Sequence, residues 1–227
     1  WRVARALANY YMSKEKNKDA LGIIKKTYNQ NKSNYIIGMD YVKTLIELKK
    51  YKTAVSSLNK LHILPYEHAG EGRDLYTNAY FGSTMEEINK KDYNKAINLI
   101  NTSKEWPEQL GVGKPYNVDE RIQDYLLFHC YSKLNNNKAE KYLKKVIDYS
   151  RSNINNKSFS HWLGLKSIKK LEGIEASKKF SIQLLNSSHG STEETKWIIN
   201  NFFNIKGPIN KDLNQNFKII NEILMLN

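Results

Sequence analysis

The sequence predicts an all-α protein, a right-handed α-α superhelix in which about five helix pairs stack as a solenoid and further helices close its C-terminal end. Three observations predict it. Apolar residues recur at helical spacing along the whole chain, as in Tyr125, Leu126, Phe128, Cys130 and then Leu143, Val146, Ile147. A small residue returns near the start of alternate segments, at Ala20, Ala54, Ala96, Ala139 and Ala176, with spacings of 34, 42, 43 and 37 residues. No stretch alternates with the two-residue period of a strand.

Taken in order, the pairs fall at 1–13 with 18–31, 34–49 with 51–62, 73–90 with 92–104, 118–134 with 138–151, and 157–171 with 173–187. The corresponding repeats are roughly 1–33, 34–72, 73–117, 118–156 and 157–190, all within one solenoid, with capping helices over 191–227. In each pair a small residue lets the second helix lie close to the first. Ala8, twelve residues before Ala20, and Gly164, twelve before Ala176, are the small positions expected on the facing helix. Ser191-x-x-Glu194 reads as a capping box opening a helix through Phe203, which Gly207-Pro208 ends. Asp212 reads as the cap of a last amphipathic helix reaching Leu226.

Lys50-Tyr51-Lys52-Thr53-Ala54-Val55 and Asp92-Tyr93-Asn94-Lys95-Ala96-Ile97 share a Tyr-x-x-Ala-hydrophobic signature. The segments around Ala20, Ala139 and Ala176 are looser copies. With a first spacing of 34 residues, these segments resemble tetratricopeptide (TPR) repeats, and the longer spacings equal that period plus loop residues.

The 227 residues carry 36 Lys+Arg against 23 Asp+Glu, a net charge of +13. Only five of the bases are Arg, and the Lys are spread over nearly every helix. Arg is the residue that forks onto phosphate, so this pattern favours solvated helix faces over nucleic-acid binding. No apolar run approaches the roughly 18–20 residues that span a bilayer. The chain begins at Trp1, inside an apolar helical pattern and without an initiator Met or signal peptide, which reads as a piece of a longer protein. A lone Cys130 excludes a disulfide framework and leaves the compartment open, a cytoplasmic setting being the default.

Two inter-repeat loops break the period: Pro65–Asp74, and the long stretch from Lys104 to Arg121 that holds Trp106, Pro107, Gly111, Gly113 and Pro115. Linkers in helical arrays usually need roughly two to eight residues. Residues 65–74 and 105–121 together carry seven acids and three bases, or −4 in 27 residues, whereas the other 200 residues carry +17. Both loops join one repeat to the next, so the stack should bring them together on one edge as an acidic, aromatic island.

The phrases Glu105-Trp-Pro-Glu-Gln-Leu-Gly-Val-Gly-Lys-Pro-Tyr116 and Asp119-Glu-Arg121, with His68-Ala-Gly-Glu-Gly-Arg-Asp-Leu-Tyr76 upstream, are similar to the C-terminal TPR region of large bacterial proteins that carry a domain of unknown function, a carbohydrate-enzyme-like β-rich module ahead of the repeats. The resemblance is strongest over 60–130. It implies a role near carbohydrate metabolism and carries over no catalytic residue.

The candidate ligand-binding or interdomain residues are Tyr66, Glu67, His68, Glu71, Arg73, Trp106, Lys114, Tyr116, Asp119 and Arg121: carboxylates to accept hydroxyl hydrogen bonds, and rings to stack on a pyranose. Two carboxylates flanking a bond are the minimum for glycoside hydrolysis. The competing reading is that Trp106 and Tyr116 pack the loop, Arg73 and Arg121 pair with nearby acids, and the glycines serve backbone geometry. On the concave face, made by the first helix of each pair, Tyr41, Lys43, Asn78 and Tyr80 are candidate contacts.

Gly111-Val-Gly113-Lys114 is not a phosphate loop, since Pro115 follows the Lys and no strand precedes. Glu67-His68-x-x-Glu71 lacks a second His or Cys ligand, and the scattered His62, His129, His161 and His189 have no metal-ligand spacing, so neither metal nor cofactor is expected. Asn117-x-x-Glu120 reads as a capping box for helix 118–134. Cys130, Trp162 and Trp197 read as packing residues. The expected function is a non-catalytic TPR interaction scaffold that docks an upstream domain of its own polypeptide or a protein or peptide partner. One alternative is a contribution of the loop island to a carbohydrate site; a second is nucleic-acid binding through the basic surface.

Overall fold

The computed structural model describes residues 1–65, 70–203 and 215–226. Among them there are twelve α-helices and no strand: α1 (Arg2–Ser13), α2 (Asn17–Gln30), α3 (Tyr35–Glu47), α4 (Tyr51–Leu58), α5 (Glu71–Asn89), α6 (Tyr93–Ser103), α7 (Arg121–Lys133), α8 (Lys138–Ser152), α9 (His161–Glu172), α10 (Ile174–Leu185), α11 (Glu193–Phe202) and α12 (Gln215–Leu224). The protein is all-α, as expected. No helix among the described residues is long and apolar enough to cross a membrane.

The chain forms two compact units, Trp1–Val118 and Asp119–Asn227. In the first, each helix from α1 to α6 packs on the next, and α3 also packs on α1 and α5. In the second, α7 to α10 pack in sequence, and α9 also packs on α7 and α11. Each unit is therefore a row of helix pairs whose first helices touch. The small positions fit this packing. Ala8, Ala20, Ala54 and Ala96 are fully buried, whereas Ala139 and Ala176 of the looser copies are only half-buried.

Helices of adjacent pairs also approach closely. Gly82 of α5 faces the ring of Tyr51 on α4, so a Cβ there would overlap it. Gly164 of α9 has its tightest neighbour in Ser150 of α8, the helix before it, rather than in α10. Asp40, buried on α3, accepts a hydrogen bond from Nε of Arg5 on α1, and this pair holds two first helices together. On α5 the Glu87 carboxylate is covered by the ammonium groups of Lys90, Lys52 and Lys95 at 3.1–3.6 Å. The hydrogen bond from Lys90 outweighs desolvation and holds the carboxyl below its ordinary range.

The turns inside the pairs share one device. Glu15, Lys49, Lys91 and Asn135 all take left-handed backbone with φ of 51–63°. The following N–H then bonds back five residues: Lys16 to Tyr11 O, Lys50 to Leu45 O, Asp92 to Glu87 O, and Asn136 to Tyr131 O, at 2.8–2.9 Å. Such bonds satisfy carbonyls that a helix C-terminus leaves unpaired. In the fifth pair Gly173, with φ of 95°, stands at the corresponding turn.

Several helix starts differ from the sequence reading. Helix α7 opens at Arg121 rather than 118. Glu120 stands at its N-cap position where Asn117 was expected, and the Asp119 carboxylate accepts from the Arg121 N–H at 3.2 Å. Helix α11 is capped by Thr192, whose Oγ1 accepts from the Thr195 N–H, and not by Ser191. Helix α9 opens at His161 rather than 157, and α4 ends at Leu58 rather than 62. Asp212 and Gly207-Pro208 lie outside the described residues. Ile219, Ile220 and Ile223 of α12 are buried.

Candidate functional site

The loop residues of the first unit lock together around Arg73. This arginine, 8% exposed, lies in the first turn of α5 and reaches the C-terminal end of α6. There Nη1 donates to the Glu105 carbonyl at 2.6 Å and Nη2 to the Ser103 carbonyl at 2.7 Å. A guanidinium fork suits two carbonyls at a helix C-terminus, where the backbone dipole favours a cation. Its Cζ lies 4.4 Å over the Trp106 ring centre and 5.2 Å over that of Tyr76. The Tyr76 hydroxyl donates to the Thr102 carbonyl at 3.0 Å; burial pushes its pKa up. Leu110, in the 3-10 turn Glu108–Leu110, is buried in the core of this unit.

The two loops meet: Arg73 of the first reaches the Glu105 carbonyl of the second, and a Cβ on Gly72 would stand 3.2 Å from the Leu110 carbonyl oxygen. The Ile63 N–H donates to the Gln109 carbonyl at 2.8 Å. Gly111 has φ of 72°, and a Cβ there would stand 2.6 Å from the Ile63 carbonyl oxygen, so both its conformation and its closeness to backbone require glycine. Glu71 and Glu105 are exposed, and so is Lys114. Tyr116 is fully exposed and does not pack the loop, in contrast to Trp106. Tyr66, Glu67 and His68 lie outside the described residues.

Asp119 and Arg121 belong to the second unit and form a separate cluster. Arg121, 1% exposed, bonds the Asp119 carboxylate with Nε at 2.8 Å and Nη2 at 2.7 Å. Its Nη1 donates to Ser150 Oγ at 3.2 Å and lies 3.0 Å from His161 Nδ1. Because a guanidinium only donates, Nδ1 accepts, and Nε2–H donates to the Asn156 carbonyl at 2.8 Å. Burial first, then the Arg121 charge, depress the His161 pKa to about 4. Burial works to raise the Asp119 pKa, but the hydrogen bond and charge of Arg121 outweigh it and hold the carboxyl low. These groups use their polar capacity on one another.

On the first-helix face of the first unit, Tyr41 is buried and stacked on Tyr28 with ring centres 5.0 Å apart, and Tyr80 is buried against Tyr76. Lys43 is exposed and Asn78 half-buried. Cys130 is fully buried, and burial raises its thiol to about 12, so it is not a nucleophile at neutral pH. Among the described residues no three His, Cys, Asp or Glu side chains stand close enough to hold a metal ion.

Sequence reasoning passed over a groove in the second unit. A cavity of about 830 Å³ opens on the first helices α7, α9 and α11, within the size range of ligand sites. Tyr125 and Phe128 of α7, Trp162 of α9 and Phe202 of α11 supply its aromatic surface. Four lysines line it as well: Lys133 on α7, and Lys166, Lys169 and Lys170 on α9. Lys166 stands 4.9 Å over Trp162, Lys169 5.7 Å over Phe202, and Lys170 5.7 Å over Phe128. Burial and then Lys169 lower the Lys166 pKa. Among the described residues no carboxylate lines the cavity. The available signal was the i, i+3, i+4 spacing of Lys166, Lys169 and Lys170 beside Trp162, which places all four on neighbouring turns of one helix; a composition spread over every helix hid it.

The chain matches no protein-family model, no curated protein and no solved structure.

Proposed function

We propose that the chain is a right-handed TPR-like superhelix acting as a non-catalytic interaction scaffold, which docks a protein or peptide partner or an upstream domain of its own polypeptide. The observation that carries this reading is the contact between successive first helices, α1 with α3 and α3 with α5, and α7 with α9 and α9 with α11. That arrangement gives each unit a face built from first helices, the face on which helix-pair stacks receive partners. A second support is the outer side of α1, where Val3, Leu7 and Tyr10 are exposed at helical spacing. An apolar stripe of this kind fits a partner surface.

The loop island gives less support to a carbohydrate site. Arg73 covers one face of Trp106 and spends its fork on backbone carbonyls, while Asp119 and Arg121 bind each other. Nucleic-acid binding has only the net charge behind it.

Panning a displayed random-peptide library on the chain tests the scaffold reading. Enrichment of a consensus whose synthetic peptide binds the folded chain supports it. Turnover of an oligosaccharide panel by the chain, without peptide enrichment, overturns it.

A further inference from the structure

The geometry points to the groove of α7, α9 and α11 as a docking site for an acidic peptide that carries aromatic or large apolar side chains. This rests on the scaffold reading and goes beyond it in naming the surface and the ligand chemistry. Three features define the ligand. First, four cations line the groove, there is no carboxylate among the described residues that line it, and Lys166, Lys169 and Lys170 have no acidic partner within the described residues. Charge complementarity asks for an anion.

Second, three of these ammonium groups are held over rings from three different helices. Cations and apolar surface therefore alternate across the groove, and a matching ligand must alternate carboxylates with hydrophobic groups. A uniformly charged polymer does not. Third, the cations are all Lys. The bidentate fork that selects phosphate is missing, whereas single ammonium groups accommodate carboxylates spaced along a peptide. Asn201 adds an amide beside Phe202, suited to a peptide backbone.

The probe is a short fluorescein-labelled peptide alternating Glu with Phe, titrated with the intact chain by fluorescence anisotropy. Its Gln-for-Glu counterpart and a labelled oligothymidylate are titrated in parallel. The Glu/Phe peptide binds, the Gln peptide binds at least about tenfold more weakly, and affinity falls as salt rises. The double variant Lys166→Glu/Lys169→Glu weakens the Glu/Phe peptide at least about tenfold. Lys141→Glu/Lys179→Glu, which makes the same charge change at exposed positions outside the groove, leaves it within about twofold.

Equal losses in the two double variants would mean general attraction to a basic surface and would overturn the groove. So would failure of the Glu/Phe peptide to bind, or oligothymidylate binding more tightly in a groove-dependent way. Circular dichroism confirms that each variant is folded. Library peptides that bind without sensitivity to Lys166→Glu/Lys169→Glu would leave the scaffold reading standing and remove only this inference.

Discussion

Nη1 of Arg121 lies 3.0 Å from Nδ1 of His161, and this buried contact fixes the imidazole in its neutral form with the proton on Nε2. Protonating His161 would set two cations side by side where neither reaches water. The residue predicted from sequence as a candidate ligand contact is thus one end of a clamp joining the start of α7, the end of α8 and the start of α9.

That clamp makes the second unit sensitive to acid. The His161 pKa is about 4 in the folded state and near 6.5 when unfolded, so between these values the unfolded chain binds the extra proton. Stability therefore falls as pH drops through that window, by up to about 3 kcal/mol when both values are passed. The low Asp119 pKa adds a loss in the same direction at more acidic pH. Urea unfolding of the second unit, followed at several pH values, should show this slope. His161→Gln, which keeps polar groups at the site but does not titrate, should flatten the part between about pH 6.5 and 4.

Arg73 does the equivalent work in the first unit, joining the start of α5 to the end of α6. Arg73→Ala removes two charge-assisted hydrogen bonds in a buried setting and uncovers Trp106, at a cost of about 3 kcal/mol. Arg73→Lys keeps the charge but not the planar fork, and should recover less than half of that. Amide hydrogen exchange of α5 and α6 reads both effects. By contrast Tyr116→Ala should change stability by less than about 0.5 kcal/mol, because the ring is fully exposed.

Gly82 sits against the ring of Tyr51 and leaves no room for a methyl group. Alanine is the better helix former by roughly 1 kcal/mol, yet Gly82→Ala should destabilise the first unit by about 1–3 kcal/mol, since overpacking wins in a filled core. Combining it with Tyr51→Leu, which takes away the ring it strikes, should cost less than the two changes added separately. Additive losses in thermal unfolding would mean that α4 and α5 do not meet as closely as this contact requires.

Helix pairing was legible in the sequence because the evidence for it is periodic: alanines at Ala20, Ala54 and Ala96, each fully buried, mark where second helices approach first ones. The meeting of the two loops was legible too, from their position between repeats. What they do chemically was not. Arg73 and Arg121 look the same in sequence whether they bind a ligand or a helix end, and only the third dimension shows carbonyls and a histidine in front of them. Helix starts were misread where a neighbour of the expected cap took the role, as Thr192 did for Ser191. The groove went unseen because Phe128 and Phe202 come from helices far from α9 in the chain, and because lysine is spread over nearly every helix.

The turns inside the pairs escaped notice for a related reason, and they yield the sharpest test of the repeat. A left-handed turn is read from Gly or Asn, but here Glu15, Lys49 and Lys91 hold it. For an L-residue this conformation costs roughly 1–2 kcal/mol, while glycine costs roughly 0.5–1 kcal/mol in the unfolded chain's extra freedom. The balance favours glycine, so Lys49→Gly and Lys91→Gly should each stabilise the protein by roughly 0.5–1 kcal/mol, although each places a flexible residue beside a helix. Both lysines are exposed, and no side-chain burial offsets the gain. The opposite change, Gly173→Ala, forces a methyl group onto backbone with φ of 95° and should destabilise by about 1–3 kcal/mol. Melting temperatures of the three variants decide the matter: glycine neutral or harmful at 49 and 91 would mean that these turns are not built on the left-handed geometry their backbone bonds require.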